Sequence, residues 1–419
     1  MLADIPVVLM LVGLAAYTVL AGADFGAGFW TLLPGGGGAS AAATRDHARH
    51  AMGPLWEANH VWLIFVLVVC WTAYPVAFAS ITSTLCVPLF IAAVGVILRG
   101  ASYALRGQLD GSSGRRVVEC VFALSSIMAP FALGAVVGAI AAGRVPVGNA
   151  RGDVLGSWLN PTSVLIGTLA IATSTYLAAV YLAGDARRLG AHALERDFRV
   201  RALVMGFVAG ALAIAALAVV RADAPPIWSG LTSGAGLVMV CASAAAGLLT
   251  LLLVLRRRFE PARASAAGAV GAVVAGWAFA QYPRFLPGLT VEQAAAGPST
   301  LSAVVIGVGA GAIVLIPALA LLFGLFLRGH LDAHGSVEAL AADVPRVPPK
   351  GRVPRLGWLA VTCLLAGCAL LVAADSDWAH AVGVVSLFAS VASAFFLAVD
   401  IPGDMPGPPI SREGEHRHE

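Results

Sequence analysis

Residues 231–258 read LTSGAGLVMVCASAAAGLLTLLLVLRRR, and this stretch decides the fold class. From Leu231 to Leu255 there is no Asp, Glu, Lys or Arg, and then three arginines follow in succession. A hydrocarbon core about 30 Å thick needs about 20 apolar residues of α-helix to cross it. An uncharged run of this kind, closed by Arg256-Arg257-Arg258, reads as a membrane helix anchored among headgroups at one end. The whole chain repeats that composition. Of its 419 residues 59% are hydrophobic and only 12% are Asp, Glu, Lys or Arg, about half the charge of a soluble domain. The bilayer must serve as the solvent, which predicts an all-α integral membrane protein.

Similar apolar runs lie near 5–33, 54–74, 79–104, 118–142, 161–183, 202–220, 264–280, 300–327, 356–374 and 380–399, giving about eleven transmembrane helices with the one quoted above. Within 54–104 only Tyr74-Pro75 and a few small polar residues mark a break. The arginines test this layout. Arg45 and Arg49 fall in the first connection, Arg106, Arg115 and Arg116 in the third, and Arg187, Arg188, Arg196, Arg199 and Arg201 in the fifth. The seventh holds Arg256, Arg257, Arg258 and Arg263, the ninth Arg328, Arg346, Lys350, Arg352 and Arg355, and the tail Arg412 and Arg417. The alternate connections hold only Arg144, Arg151, Arg221 and Arg284. Positive residues concentrate on cytoplasmic loops, so the N-terminus is expected outside and the C-terminus inside. The first run lacks a basic start and continues to Leu33, so it reads as a retained helix rather than a signal peptide.

Four segments are expected: a membrane core over 1–330 with about nine helices, a polar Pro-rich cytoplasmic linker over 331–355, an additional two-helix hairpin over 356–400, and a disordered cytoplasmic tail over 401–419. The glycine-rich run 34–44 reads as a flexible turn leading into a short polar stretch at the inner surface.

Several chemistries are disfavoured. There is no basic cluster interleaved with exposed aromatics, so nucleic acid is not an expected partner. Cys70, Cys86, Cys120, Cys241, Cys363 and Cys368 sit in apolar runs without Cys-x-x-Cys spacing, which indicates packed thiols rather than a metal site. Haems held within a bundle need His or Met ligands in the helices. His60 is the one such histidine toward the inner surface, and His380 lies at the opposite surface. No metal site and no catalytic residue are expected in this chain.

An ionisable group within a membrane helix costs roughly 2.5–3.5 kcal/mol on insertion scales and calls for an explanation. Asp24 lies in Gly22-Ala23-Asp24-Phe25-Gly26-Ala27-Gly28. Gly22 and Gly26 are one turn apart and form a small face that admits a neighbouring helix, so Asp24 is expected to face protein. It caps a neighbouring backbone, pairs with an arginine, or serves proton transfer; the residues alone leave these open. A second cluster, Gly53-Pro54-Leu55-Trp56-Glu57-Ala58-Asn59-His60-Val61-Trp62, opens the next helix. Pro54 and Glu57 suit a helix start. Trp56, Asn59 and His60 share one face, and Glu57 and His60 are three apart. Together they supply titratable groups joined by polar side chains, as a proton route requires. Arg99, near the inner end of its helix, either snorkels to the headgroups or bridges to Glu57 or Asp24.

The block Gly22–Gly28, the block from Gly53 through Trp62-Leu63-Ile64, Tyr74-Pro75, Arg99, and the later Gln281-Tyr282-Pro283-Arg284-Phe285-Leu286-Pro287-Gly288-Leu289-Thr290 and Ala295-Ala296-Gly297-Pro298-Ser299-Thr300-Leu301 together resemble subunit II of cytochrome bd-type quinol oxidases. The resemblance covers about residues 1–330. It implies a partner, subunit I, carrying two b-type haems and one d-type haem and oxidising quinol to reduce oxygen to water. Subunit II itself would hold no catalytic haem. It would scaffold subunit I in the bacterial cytoplasmic membrane and contribute proton and oxygen routes, with a small accessory subunit as a further partner. Asp24 and Glu57, with Asn59 and His60 beside them, would stand on a cytoplasmic proton pathway. Trp62, with Trp56 and Arg99 as structural neighbours, would lie near an oxygen route. Family members often carry Asp where Glu57 stands. The 356–400 hairpin exceeds the family's usual extent. The competing reading from the residues is a proton- or solute-coupled secondary transporter built around Asp24 and Glu57; against it, no repeat is visible and the polar residues gather at the inner third.

Overall fold

The computed structural model describes residues 2–33, 41–50, 56–105, 112–149, 151–327 and 355–373, with scattered positions between 376 and 393. The chain divides into two compact units, Met1–Gly335 and Ser336–Glu419. The first contains α1 (Asp4–Trp30), α2 (Ala41–His50), α3 (Trp56–Ala73), α4 (Pro75–Thr84), α5 (Cys86–Leu105), α6 (Ser112–Ala141), α7 (Pro161–Arg188) and α8 (His192–Asp223). It continues with α9 (Pro225–Leu231), α10 (Gly234–Leu255), α11 (Phe259–Gln281), β1 (Arg284–Leu286), β2 (Leu289–Thr290), α12 (Val291–Ala294) and α13 (Pro298–Leu327). In the second unit the described helix is Arg355–Ala373.

The chain is an all-α membrane protein with a multi-helix bundle core. Among the described residues eight helices are long and apolar enough to cross a membrane: α1, α5, α6, α7, α8, α10, α11 and α13. That replaces the expectation of about eleven: of the three spans not recovered, 54–74 is cut short in α3, and 356–374 and 380–399 fall in the partly described C-terminal unit. The apolar part of α3, Asn59–Ala73, is shorter than a span. The run expected as one helix over 79–104 is two, because Pro75 starts α4 and the backbone leaves helical geometry at Leu85. At about 1.5 Å per residue, the 10 residues of α4 reach only about 15 Å. The expected span 356–374 corresponds to Arg355–Ala373; that over 380–399, the linker before Arg355 and the tail lie largely or wholly outside the described residues. The polar stretch after the glycine run is itself helical, as α2.

The bundle is organised around α7, which packs against α1, α6, α8 and α11. Residues Ser174 to Val180 are buried in unbroken succession, so this part of α7 is covered on every side. Small residues permit it: Ala178, Ala179, Ala183 and Gly184 let neighbouring backbones approach. Its start is fixed by Asn160, whose side chain accepts from the Ser163 N–H at 2.9 Å, with Pro161 in the first turn. The peripheral helices instead turn large apolar side chains outward, among them Phe207, Ile214, Leu248, Ile306 and Ile313. Cys86, Cys120 and Cys241 are exposed as well, and of the thiols expected to be packed inside, Cys70 is buried.

One end of the bundle is closed by short elements. The β1–β2 hairpin packs on α12 and α12 on α4, the Tyr74 hydroxyl donates to the Ala3 carbonyl, and the Ala296 N–H donates to the Ala73 carbonyl at 2.8 Å. Thr290 and Gln293 form a capping box on α12. The opposite end carries the arginine-bearing connections. There α8 begins at His192, earlier than its apolar run. The added turns bury Asp197 with Arg201 at 3.0 Å, and the Arg201 guanidinium lies over the Trp30 and Phe198 rings.

Gly26 marks the tightest approach of α1 to α7. A β-carbon there would run into the Ser174 carbonyl and come within 2.8 Å of the Ala178 β-carbon, whereas one at Gly22 meets its nearest neighbour at an ordinary 3.4 Å. Gly26→Ala is expected to destabilise the protein by about 1–3 kcal/mol through overpacking, while Gly22→Ala stays near neutral. Melting midpoints of the two purified variants in the same detergent test the contrast.

Candidate functional site

Asp24 sits six residues before the end of α1, and Arg99 six before the end of α5. Both side chains are fully buried, at 0% exposure. Arg99 Nε donates to Asp24 Oδ2 at 3.0 Å and Nη2 donates to Asp24 Oδ1 at 2.7 Å, a two-point pairing of guanidinium and carboxylate. The same Nη2 donates to the Asp24 carbonyl at 2.7 Å, and Nη1 donates to Ser126 Oγ on α6. The Tyr103 hydroxyl donates to Asp24 Oδ1 at 3.3 Å. The rings of Phe122, Phe25 and Tyr103 stand 4.4, 5.1 and 5.6 Å from the guanidinium carbon.

Of the sequence alternatives for Arg99, the geometry selects the bridge to Asp24 and excludes snorkelling, since no part of the side chain reaches the surface. Taking both charges out of water costs several kcal/mol per ion unless each is matched in close geometry. Here the carboxylate is met at both oxygens, and the guanidinium by carboxylate, carbonyl, hydroxyl and aromatic faces. Gly28 makes room for this, because a β-carbon there would collide with Ser126 Oγ and come within 2.7 Å of Arg99 Nη1.

The second sequence cluster adjoins the first through α1. Asn59 is buried and donates from Nδ2 to the Leu20 carbonyl at 3.3 Å. His60 lies edge-on to Tyr17 and Phe25, each 6.1 Å away centroid to centroid. Trp62 is half-buried, packs against the small core of Tyr17, Ala21, Phe25 and Ala129, and meets Phe65 edge-on at 6.4 Å. Phe25 thus stands between Arg99 and His60 and links the ion pair to the α3 cluster. Trp56 and Glu57 open α3, but their side chains lie outside the described residues. Tyr17, Tyr103, Phe122 and Ser126 were not singled out in the sequence. A hydroxyl at Ser126 inside an apolar span was the available signal for one of them.

His47 on α2 hydrogen-bonds the Leu182 carbonyl at 3.0 Å, and Arg49 pairs with Glu119 at 2.7 Å. Among the described residues no group of three or more His, Cys, Asp or Glu side chains converges as a metal site would require.

The fold and this site define an integral membrane subunit whose interior holds a neutralised charge pair tying three helices together. The chain belongs to the cytochrome bd terminal oxidase subunit II family, whose model matches residues 2–326. It is 29% identical over 131 residues to cytochrome bd ubiquinol oxidase subunit 2 of Bacillus subtilis (strain 168), an alignment spanning 31% of this chain and 38% of that protein. Among solved structures it is similar to a chain of the bd oxidase from Geobacillus thermodenitrificans, with a TM-score of 0.62 and 25% identity, over 78% of this chain and 98% of that one. Family membership displaces the transporter alternative.

Removing one partner of the buried pair should be severe. Arg99→Met or Asp24→Leu is expected to cost about 3–5 kcal/mol, and the double variant clearly less than the sum. A double-mutant cycle on melting midpoints of the purified protein measures this; additive losses would mean that the two side chains are not coupled.

Proposed function

We propose that this chain is the haem-free subunit II of a bd-type terminal oxidase, multi-pass in the bacterial cytoplasmic membrane, that scaffolds a haem-bearing subunit I. The complex would oxidise quinol and reduce oxygen to water, with the haems and the redox steps on subunit I. The observation that carries this reading is the family match over 2–326, joined to an interior organised by Asp24 and Arg99.

The site residues divide their work in this reading. Asp24, held at both oxygens, is the fixed charge that positions α1 against α5 and α6. Asn59 and His60, with Glu57 at the start of α3, form the polar approach from the arginine-bearing end, where protons would enter from the cytoplasm. Trp62 lines the apolar side on which an oxygen route would run. The arginine distribution supports an N-terminus outside and a C-terminus inside. The core is taken as residues 1–330. The 331–355 linker and the 356–400 hairpin then form an appended module, suited to receiving a small accessory subunit.

Glu57→Gln keeps size and removes the titratable proton. It is expected to slow quinol-driven oxygen consumption about 10²-fold or more, in the range proton-transfer groups contribute, with b- and d-type haem absorbance retained. Oxygen-electrode turnover per haem in membranes gives the test. Unchanged turnover removes Glu57 from the route, and vanished haem absorbance makes it structural. Asp24→Asn is expected to slow turnover and also to lower the melting midpoint, because it leaves Arg99 without its counter-charge.

A further inference from the structure

The arginine-rich end of α7, α8, α10 and α11 carries more positive charge than its ion pairs consume. Arg188 and Arg263 pair with Asp185, Arg201 pairs with Asp197, and Arg257 lies 3.9 Å from Glu195. Arg187 donates to the Arg257 carbonyl, and Arg199 donates to the carbonyls of Val254 and Leu255. The side chains of Arg196, Arg256 and Arg258 are exposed and make no ion pair or hydrogen bond among the described residues.

The surface beneath them is apolar and shaped by two antiparallel helices. Arg199 meets the end of α10, and a β-carbon at Gly206 would run into Leu251, so α8 and α10 face each other along that line. On α8 the exposed residues Arg196, Val200, Val204 and Phe207 follow at intervals of four, four and three, one helical stripe headed by an arginine. On α10 the exposed residues Leu248, Leu252 and Leu255 form a second stripe that ends beside Arg256. At about 100° per residue, each stripe lies roughly a quarter-turn from the contact line, and for antiparallel helices in the same rotational sense. Both therefore flank one side of a single groove. Phe207 and Leu248 are 74% and 69% exposed.

We propose that the α8/α10 groove is a binding site for one anionic phospholipid, its phosphate held by Arg196 and Arg256 and its acyl chains lying along Val200, Val204, Phe207, Leu248 and Leu252. Guanidinium groups match a phosphodiester in charge and in two-point geometry. A surface that is arginine at the headgroup level and bare hydrocarbon below complements an anionic lipid better than a soluble anion or a protein helix. The inference stands apart from the oxidase reading, because it concerns groups on this chain alone.

The test uses the full chain, purified with whatever partner it brings and stripped of lipid, titrated with dioleoylphosphatidylglycerol and read by native mass spectrometry. The wild-type chain is expected to take up the lipid in preference to dioleoylphosphatidylcholine. Arg196→Gln/Arg256→Gln should weaken uptake by about thirtyfold, at roughly one kcal/mol per arginine. Arg115→Gln/Arg116→Gln, which removes the same charge at the start of α6, should leave it unchanged. Val204→Trp keeps every arginine and fills the groove, so it should weaken uptake even where the arginine pair fails to fold. Equal loss in the α6 control, equal uptake of phosphatidylcholine, displacement by inorganic phosphate alone, or full uptake by Val204→Trp would each overturn the proposal.

Discussion

A guanidinium and a carboxylate sealed from solvent inside an apolar bundle form the contact on which the rest of this molecule depends. Asp24 belongs to α1, Arg99 to α5 and Ser126, the third member, to α6. Neither charge has water to fall back on, so the helices must keep their relative depth and rotation or leave an ion stranded in hydrocarbon. Apolar packing alone would tolerate sliding. Between lipid-like surfaces there is little hydrophobic drive to choose one register over another. The ion pair supplies the choice, and it acts as a specificity device as much as a source of stability.

The glycines show how the surrounding structure is adjusted to that contact. Gly28 leaves space for the Ser126 hydroxyl and the guanidinium, and Gly26 lets α1 close onto the Ser174 carbonyl of α7. One short stretch of α1 thus presents charge to α5 and α6 and bare backbone to α7. Because α7 is itself buried by α1, α6, α8 and α11, the position fixed by the ion pair passes to the centre of the bundle. Phe25, between Arg99 and His60, carries the same order toward α3. Such an arrangement suits the scaffolding role proposed for this chain.

Much of this was legible in the sequence, because the bilayer imposes strong rules. The helical class, the positions of the long spans and the inward direction of Asp24 follow from apolar length and from the cost of burying charge. The pairing of Asp24 with Arg99 was one of the open alternatives, and only three-dimensional placement could select it. Ser126, Tyr103 and Phe122 escaped notice because hydroxyls and rings are common in membrane helices, and nothing in their spacing relates them to Arg99. The break at Leu85 escaped for a different reason: residues 79–104 are apolar throughout, and hydropathy cannot distinguish one long helix from a short one followed by another. The thiols misled through the same property. A cysteine in an apolar run faces either the core or the lipid, and Cys86, Cys120 and Cys241 face outward.

The central claim is that this chain lends its rigid, haem-free bundle to a haem-bearing partner. A reduced-minus-oxidised optical spectrum of the material purified through a tag on this chain tests it most directly. The account predicts b- and d-type haem bands that co-purify in constant ratio with this chain and with a second large subunit. A colourless preparation containing this chain alone, under conditions where the cells make the haem-bearing partner, would contradict it.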